Sequence, residues 1–317
     1  MIAWIRVLAA GAALALLAVS PALAATSYSN LYVFGDSLVD GGNVSVATAG
    51  GTPNPAQYWN GRFSNGPVGS DALNVAIEGT LSSPSLLGGD NYAFGGARAR
   101  NDGAGVPDVG AQVSSYLTNV GGIADPNALY LINAGGNDVF DILAGASAAT
   151  TIADAVTAIV TQVSVLQGAG AQYFLIAGVG NVGGTPYVYS LGPAAQAAGL
   201  ALSQQLTNAL FAALPSSPNI LKYDVINLFN DVLANPLAYG LPLGLNLTDA
   251  CLGSAAPDPA GPLTCNAYAF FDTIHPTTQV ATVLGNEWAI AAIPEPGTSS
   301  LLAIGLLVLA LRRSRAR

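Results

Sequence analysis

The 317-residue chain is 51% hydrophobic and only 9% charged, with a formal net charge of −9. That balance excludes a nucleic-acid partner, because phosphate binding needs clustered lysine and arginine. The length suits one large or two small domains once the unusually apolar ends are set aside.

At the N-terminus Arg6 precedes an apolar run from Val7 to Val19, and Ala22-Leu23-Ala24 offers small residues for cleavage. Residues 1–24 therefore read as a secretory signal peptide, since the run is short against the about 20 residues of a membrane span. The body, 25–293, carries every acidic residue except Glu295 but only four basic ones, Arg62, Arg98, Arg100 and Lys222. Abundant acid and scarce lysine suit a soluble exported protein. A body of this length can bury a sizeable core as one domain.

Five β-rich runs follow in order: Leu31–Phe34, Asn91–Phe94, Ala128–Ile132, Tyr173–Ala177 and the more mixed Ile220–Val225. Most are continuously apolar, as strands covered on both faces must be. Between the third and fourth, Ile152, Val156, Ile159, Val163 and Leu166 recur at steps of four and three, the signature of an amphipathic helix. Leu202, Leu206, Leu210 and Leu214 repeat the pattern before the fifth run. Val280, Leu284, Trp288 and Ala291 define a last helix, with Pro276 in its first turn. Strands alternating with helices predict an α/β, three-layer, flavodoxin-like fold: about five parallel strands, right-handed crossovers and helices on both faces. The Gly/Pro-rich segment 235–269 reads as long loops that shape a cleft. It holds the only two cysteines, Cys251 and Cys265. An even count in an exported chain favours a disulfide, closing about 15 residues at roughly 3 kcal/mol. A metal site is the rival, but two cysteines and one histidine make a poor ligand set, so no metal or other cofactor is expected.

Four short blocks carry the chemistry. The first run ends in Gly35-Asp36-Ser37-Leu38, extended by Asp40, Gly42 and Asn43. Ligands sit at the carboxyl ends of strands in open parallel sheets, so a serine following a turn glycine there is placed to be a nucleophile. The second block is Asn91-Tyr92-Ala93-Phe94-Gly95-Gly96-Ala97, the third Gly135-Gly136-Asn137-Asp138 and the fourth Asp272-Thr273-Ile274-His275-Pro276. His275 is the only histidine in the chain. In type and order the blocks resemble the GDSL esterases and lipases, the SGNH hydrolase superfamily, over 31–293. The resemblance implies Ser37 as nucleophile, His275 as general acid and base, and Asp272 as its orienting carboxylate. It also implies an oxyanion hole made by the Ser37 amide, a glycine amide and the Asn137 side chain. Register against the family pattern favours Gly96 over Gly95. Asp138 is read instead as capping the helix that follows.

Beyond the body, Pro294-Glu295-Pro296 leads through a Gly/Ser step to the apolar run Leu301–Leu311 and then Arg312, Arg313, Arg315 and Arg317. This three-part tail, 294–317, resembles the PEP-CTERM sorting signal of Gram-negative bacteria. It implies transient membrane association, recognition by an exosortase, removal of the tail and delivery to the cell surface or extracellular matrix. A plain tail anchor is the rival reading.

The expected activity is hydrolysis of a carboxylic ester, of a lipid or an acylated carbohydrate, through an acyl-serine. A carbohydrate deacetylase or lipid acyltransferase with the same triad stays open as an alternative. So does a non-catalytic matrix protein on the same fold.

Overall fold

A computed structural model describes residues 28–103, 105–254 and 265–293. The signal-peptide and sorting-tail readings lie outside these residues. The apolar runs form β1 (Leu31–Gly35), β2 (Leu129–Asn133), β3 (Tyr173–Ala177) and β4 (Ile220–Tyr223), parallel neighbours in that order. The helices are α1 (Asn43–Ala47), α2 (Gly69–Glu78), α3 (Val109–Asn119), α4 (Gly136–Leu143), α5 (Ala148–Ala169), α6 (Pro186–Ser190), α7 (Pro193–Ala213), α8 (Val225–Ala234) and α9 (Thr278–Ala292).

Alternate strand residues serve two cores. Phe34, Tyr130, Ile132, Phe174 and Ile176 face one core with α3, α5 and α7. Leu31, Val33, Leu129, Leu131 and Leu175 face the other with Leu73 of α2 and Trp288 of α9. Strands that bury both faces have no place for the polar residue of an alternating pattern, which is why the runs are continuously apolar. By length and composition α5 alone among the described residues could cross a bilayer, yet its Ile152, Ile159, Val163 and Leu166 are buried in the first core.

The second expected strand is reduced to a ribbon. Asn91 makes single parallel bridges to Val33 and Pro84. The ribbon still pairs with the outer edge of β1: Val33 N donates to Asp90 O, Tyr92 N to Val33 O, and Phe94 N to Gly35 O. The Asn91 side chain disturbs a regular ladder by accepting from Ala93 N and donating to Val39 O. At the opposite edge β4 is only half buried. Its Lys222 donates to the Phe211 and Leu214 carbonyls at the end of α7, which explains the mixed character of that run.

The last helix begins at Thr278, not at Pro276. Pro276 is bridged antiparallel to Phe270, and Thr277 N donates to Ala269 O, so the chain stays extended until Thr277. Val280 and Trp288 are buried as expected, but Ala291 is exposed and Ala292 takes its place.

The segment 235–269 is not all loop. It supplies β5 (Asn246–Ala250) and the start of β6 (Tyr268–Phe270), a parallel pair. Cys251 and Cys265 form a disulfide with their Cα atoms 5.7 Å apart, packed with Tyr268 and Phe271. The bond closes a loop of sequence separation 14. Replacing both cysteines with serine should lower unfolding free energy by about 2–4 kcal/mol, read as a drop in the urea midpoint. An unchanged midpoint would mean that the bridge constrains nothing in the unfolded chain.

Candidate active site

β1 delivers the serine. Gly35 adopts φ +152°, and a Cβ there would lie 2.0 Å from the Asn133 carbonyl oxygen of β2. Only glycine fits that approach. Gln112 of α3 clamps it from the other side: Gly35 N donates to Gln112 Oε1 at 2.8 Å, and Gln112 Nε2 donates back to Gly35 O at 2.9 Å. Ser37 follows two residues later, at the carboxyl edge of the sheet.

The histidine comes from the loop between β6 and α9. Phe271 N donates to His275 O, closing the loop on itself. Asp272 Oδ1 accepts from the amides of Ile274 at 2.9 Å and His275 at 2.7 Å, while Oδ2 lies 2.6 Å from His275 Nδ1. His275 Nε2 lies 2.8 Å from Ser37 Oγ. Ser37, His275 and Asp272 thus form one continuous chain of hydrogen bonds. Burial opposes ionisation of Asp272, but the hydrogen bond and charge of His275, the Tyr58 phenol and the Ile274 amide outweigh it. Together they hold the carboxyl at about 2.

The two glycines of the second block differ in kind. Gly95 N donates to Asp40 Oδ2 at 2.9 Å, so that amide is engaged. A Cβ on Gly95 would meet the Phe63 ring at 2.2 Å. Gly96 has φ +84° with open space where a Cβ would sit, so its backbone conformation, and not crowding, calls for glycine. Its amide has no partner among the described residues. Asn137, in the first turn of α4, donates from Nδ2 to Ala97 O at 2.8 Å, and its second amide proton has no partner among the described residues.

Asp138 does not cap α4; Gly135 occupies the cap position. Instead Asp138 accepts from Ala99 N at 2.8 Å and from Arg100 Nη1 at 2.6 Å. Asp141, one turn on, receives Arg98 through Nε and Nη2 and Arg100 through Nη2. Two arginines therefore rivet the Gly96 segment to the helix that carries Asn137. The sequence held a signal for this: two of the four basic residues of the body lie within four positions of Gly96. Asp40 does comparable work beside Ser37, accepting from Gly42, Asn43 and Gly95 amides. Asn43 donates to Asn91 O and Ala93 O, fastening the second block to the first.

A cavity of about 140 Å³ opens beside Ser37, Asn137 and His275. Apart from these and a few polar groups its walls are apolar, among them Phe140, Val182, Leu228, Phe229, Val232 and Val280. Asp36 also lines it. Burial pushes the Asp36 carboxyl up to about 7, only partly offset by the Leu38 amide and the His275 charge. A carboxyl whose pKa is higher folded than unfolded destabilises the fold increasingly as pH rises between the two values. Asp36→Asn should therefore raise the melting temperature more at about pH 8 than at about pH 5. An equal gain at both would show that the carboxyl titrates normally.

A family model described as GDSL-like Lipase/Acylhydrolase matches residues 31–288. Lipase 1 of Photorhabdus luminescens is 36% identical over 54% of this chain and 25% of its own. An uncharacterized protein in the trpE-trpG intergenic region of Pseudomonas putida is 30% identical over 90% of this chain and 54% of its own. Esterase EstA of Pseudomonas aeruginosa is 27% identical over 94% of this chain and 53% of its own. The chain thus spans a quarter to about half the length of these bacterial relatives. With the match running from β1 into α9, the chain belongs to the GDSL-like lipase/acylhydrolase family.

Proposed function

We propose that the protein hydrolyses carboxylic esters through an acyl-serine on Ser37. The observation that carries this reading is the hydrogen-bonded chain from Ser37 Oγ through His275 to Asp272. In the first step His275 Nε2 takes the Ser37 proton as Oγ attacks the ester carbonyl. Asp272 keeps the Nδ1–H tautomer and stabilises the imidazolium. The oxyanion accepts from the Ser37 and Gly96 amides and the second Asn137 amide proton. Collapse breaks the ester bond, and His275 returns the proton to the leaving alcohol. Water, deprotonated by the same imidazole, then releases the acid.

The apolar cavity fits the acyl chain of the substrate better than a sugar, which would need polar partners. The names of the lipase and esterase relatives agree with that preference. The proposal extends to export. Arg6 and the Val7–Val19 run support a cleaved leader, and the Pro-Glu-Pro, apolar and arginine-rich tail supports exosortase processing to the cell surface. The intact mass of secreted material checks both cleavages.

Purified protein should cleave nitrophenyl esters. His275→Ala should lower kcat at least about 10³-fold with the fold intact, and Asn137→Ala about 10²–10³-fold. Turnover unchanged by His275→Ala would remove the mechanism. In the same assay Val232→Trp should shift the preferred acyl chain to shorter lengths, whereas an unaltered chain-length profile would place the acyl group elsewhere.

A further inference from the structure

We propose that Tyr58 is a positioning residue that tunes the basicity of His275 through the Asp272 carboxylate. The Tyr58 hydroxyl donates to Asp272 Oδ2 at 2.6 Å, the same oxygen that faces His275 Nδ1 at 2.6 Å. The other oxygen, Oδ1, is taken by two backbone amides. Oδ2 is therefore shared between a phenol and an imidazole. The phenol dipole stabilises the carboxylate charge, so less of that charge is available to hold an imidazolium. It also fixes the carboxyl plane, since rotation would break hydrogen bonds at both oxygens.

Tyr58 is held for this purpose by packing. Its ring meets Phe271 edge-on at 5.1 Å and Phe63 at 6.3 Å, and Phe63 in turn lies 5.2 Å from the His275 ring. The surrounding loop is anchored at Arg62, which pairs with buried Asp71 of α2 at 2.9 Å. It is anchored again at Ser64, which donates to Pro276 O at 2.9 Å, one residue beyond the histidine. Burial, then the hydrogen bond to Asp272 and the charge of that carboxylate, raise the phenol pKa, so Tyr58 remains a donor throughout the working range. Among the described residues, the groups facing His275 are Ser37 and Asp36 from the end of β1, Asp272 from its own loop, and Phe63 from the anchored loop.

The proposal rests on the reading of Ser37, His275 and Asp272 as the catalytic chain, but its decisive test needs no substrate. His275 is the only histidine, so its ring signals in an NMR spectrum are assigned without ambiguity. Tyr58→Phe keeps the ring packing and removes the hydroxyl. The midpoint of the His275 ring titration should move up by about half a pH unit. A ring-fluorinated tyrosine at position 58, a stronger donor, should move it down. With substrate, the acid limb of kcat/KM should shift upward in Tyr58→Phe and kcat should fall about tenfold while KM holds. A midpoint unmoved by both changes, or a fall in kcat with the acid limb in place, would reduce Tyr58 to a packing residue and overturn the proposal. Absence of esterase activity would refute the hydrolase reading while leaving the titration result standing.

Discussion

The hydrogen bond between Ser37 Oγ and His275 Nε2 spans 238 positions of chain, and the remaining architecture can be understood as what that bond requires. One partner stands at the carboxyl edge of the first strand, fixed by a glycine too close to Asn133 to be anything else. The other stands on a short loop pinned between β6 and α9, with α9 packed on the sheet through Trp288. The hydroxyl cannot be presented without the parallel sheet, nor the imidazole without the last helix. Asp272 joins stability to this geometry. Its carboxyl sits at about 2 when folded, below the ordinary range, so it contributes stability above its unfolded pKa of about 4. That contribution fades as pH falls toward 2, and the orientation of the imidazole fades with it.

A chain with so few charges places them with economy. Arg98 and Arg100 face Asp138 and Asp141 between the segments that carry Gly96 and Asn137, two of the three proposed oxyanion donors, and Arg62 faces Asp71 beneath the loop that carries Tyr58 and Phe63. Burying an ion pair costs desolvation that its attraction barely repays, so such pairs are weak sources of stability. Their value here lies in geometry. Arg62 and Arg98 each grip one carboxylate with two N–H groups and Arg100 spans two carboxylates, so each fixes two segments in distance and orientation, as the proposed oxyanion stabilisation requires. The buried amides of Gln112, Asn43 and Asn91 extend the same principle without charge.

Strand positions were legible in the sequence because burial on both faces leaves an unbroken apolar run, and Leu31, Tyr130 and Phe174 sit where that pattern puts them. The candidate-site blocks were legible because few residue types can serve as nucleophile, base or amide donor, and the lone histidine leaves no competing imidazole. What escaped depended on tertiary partners. Asp138 has the look of a helix cap, yet it turns to Ala99 and Arg100, a choice visible only once the two segments meet. Short α2 and α8 carry no long apolar repeat, and β5 and β6 lie inside a stretch whose glycines and prolines read as loop. Tyr58 gave no local signal, because its hydroxyl matters only through a carboxylate 214 residues away.

The account stands on Ser37 being a nucleophile activated by the imidazole beside it. The most direct measurement is covalent: reaction of the folded protein with a fluorophosphonate, followed by mass spectrometry of the modified peptide. The account predicts a single adduct on Ser37, formed quickly in the native chain and only very slowly when His275 is replaced by alanine. An unmodified Ser37, an adduct on a different serine, or equal labelling without His275 would contradict it.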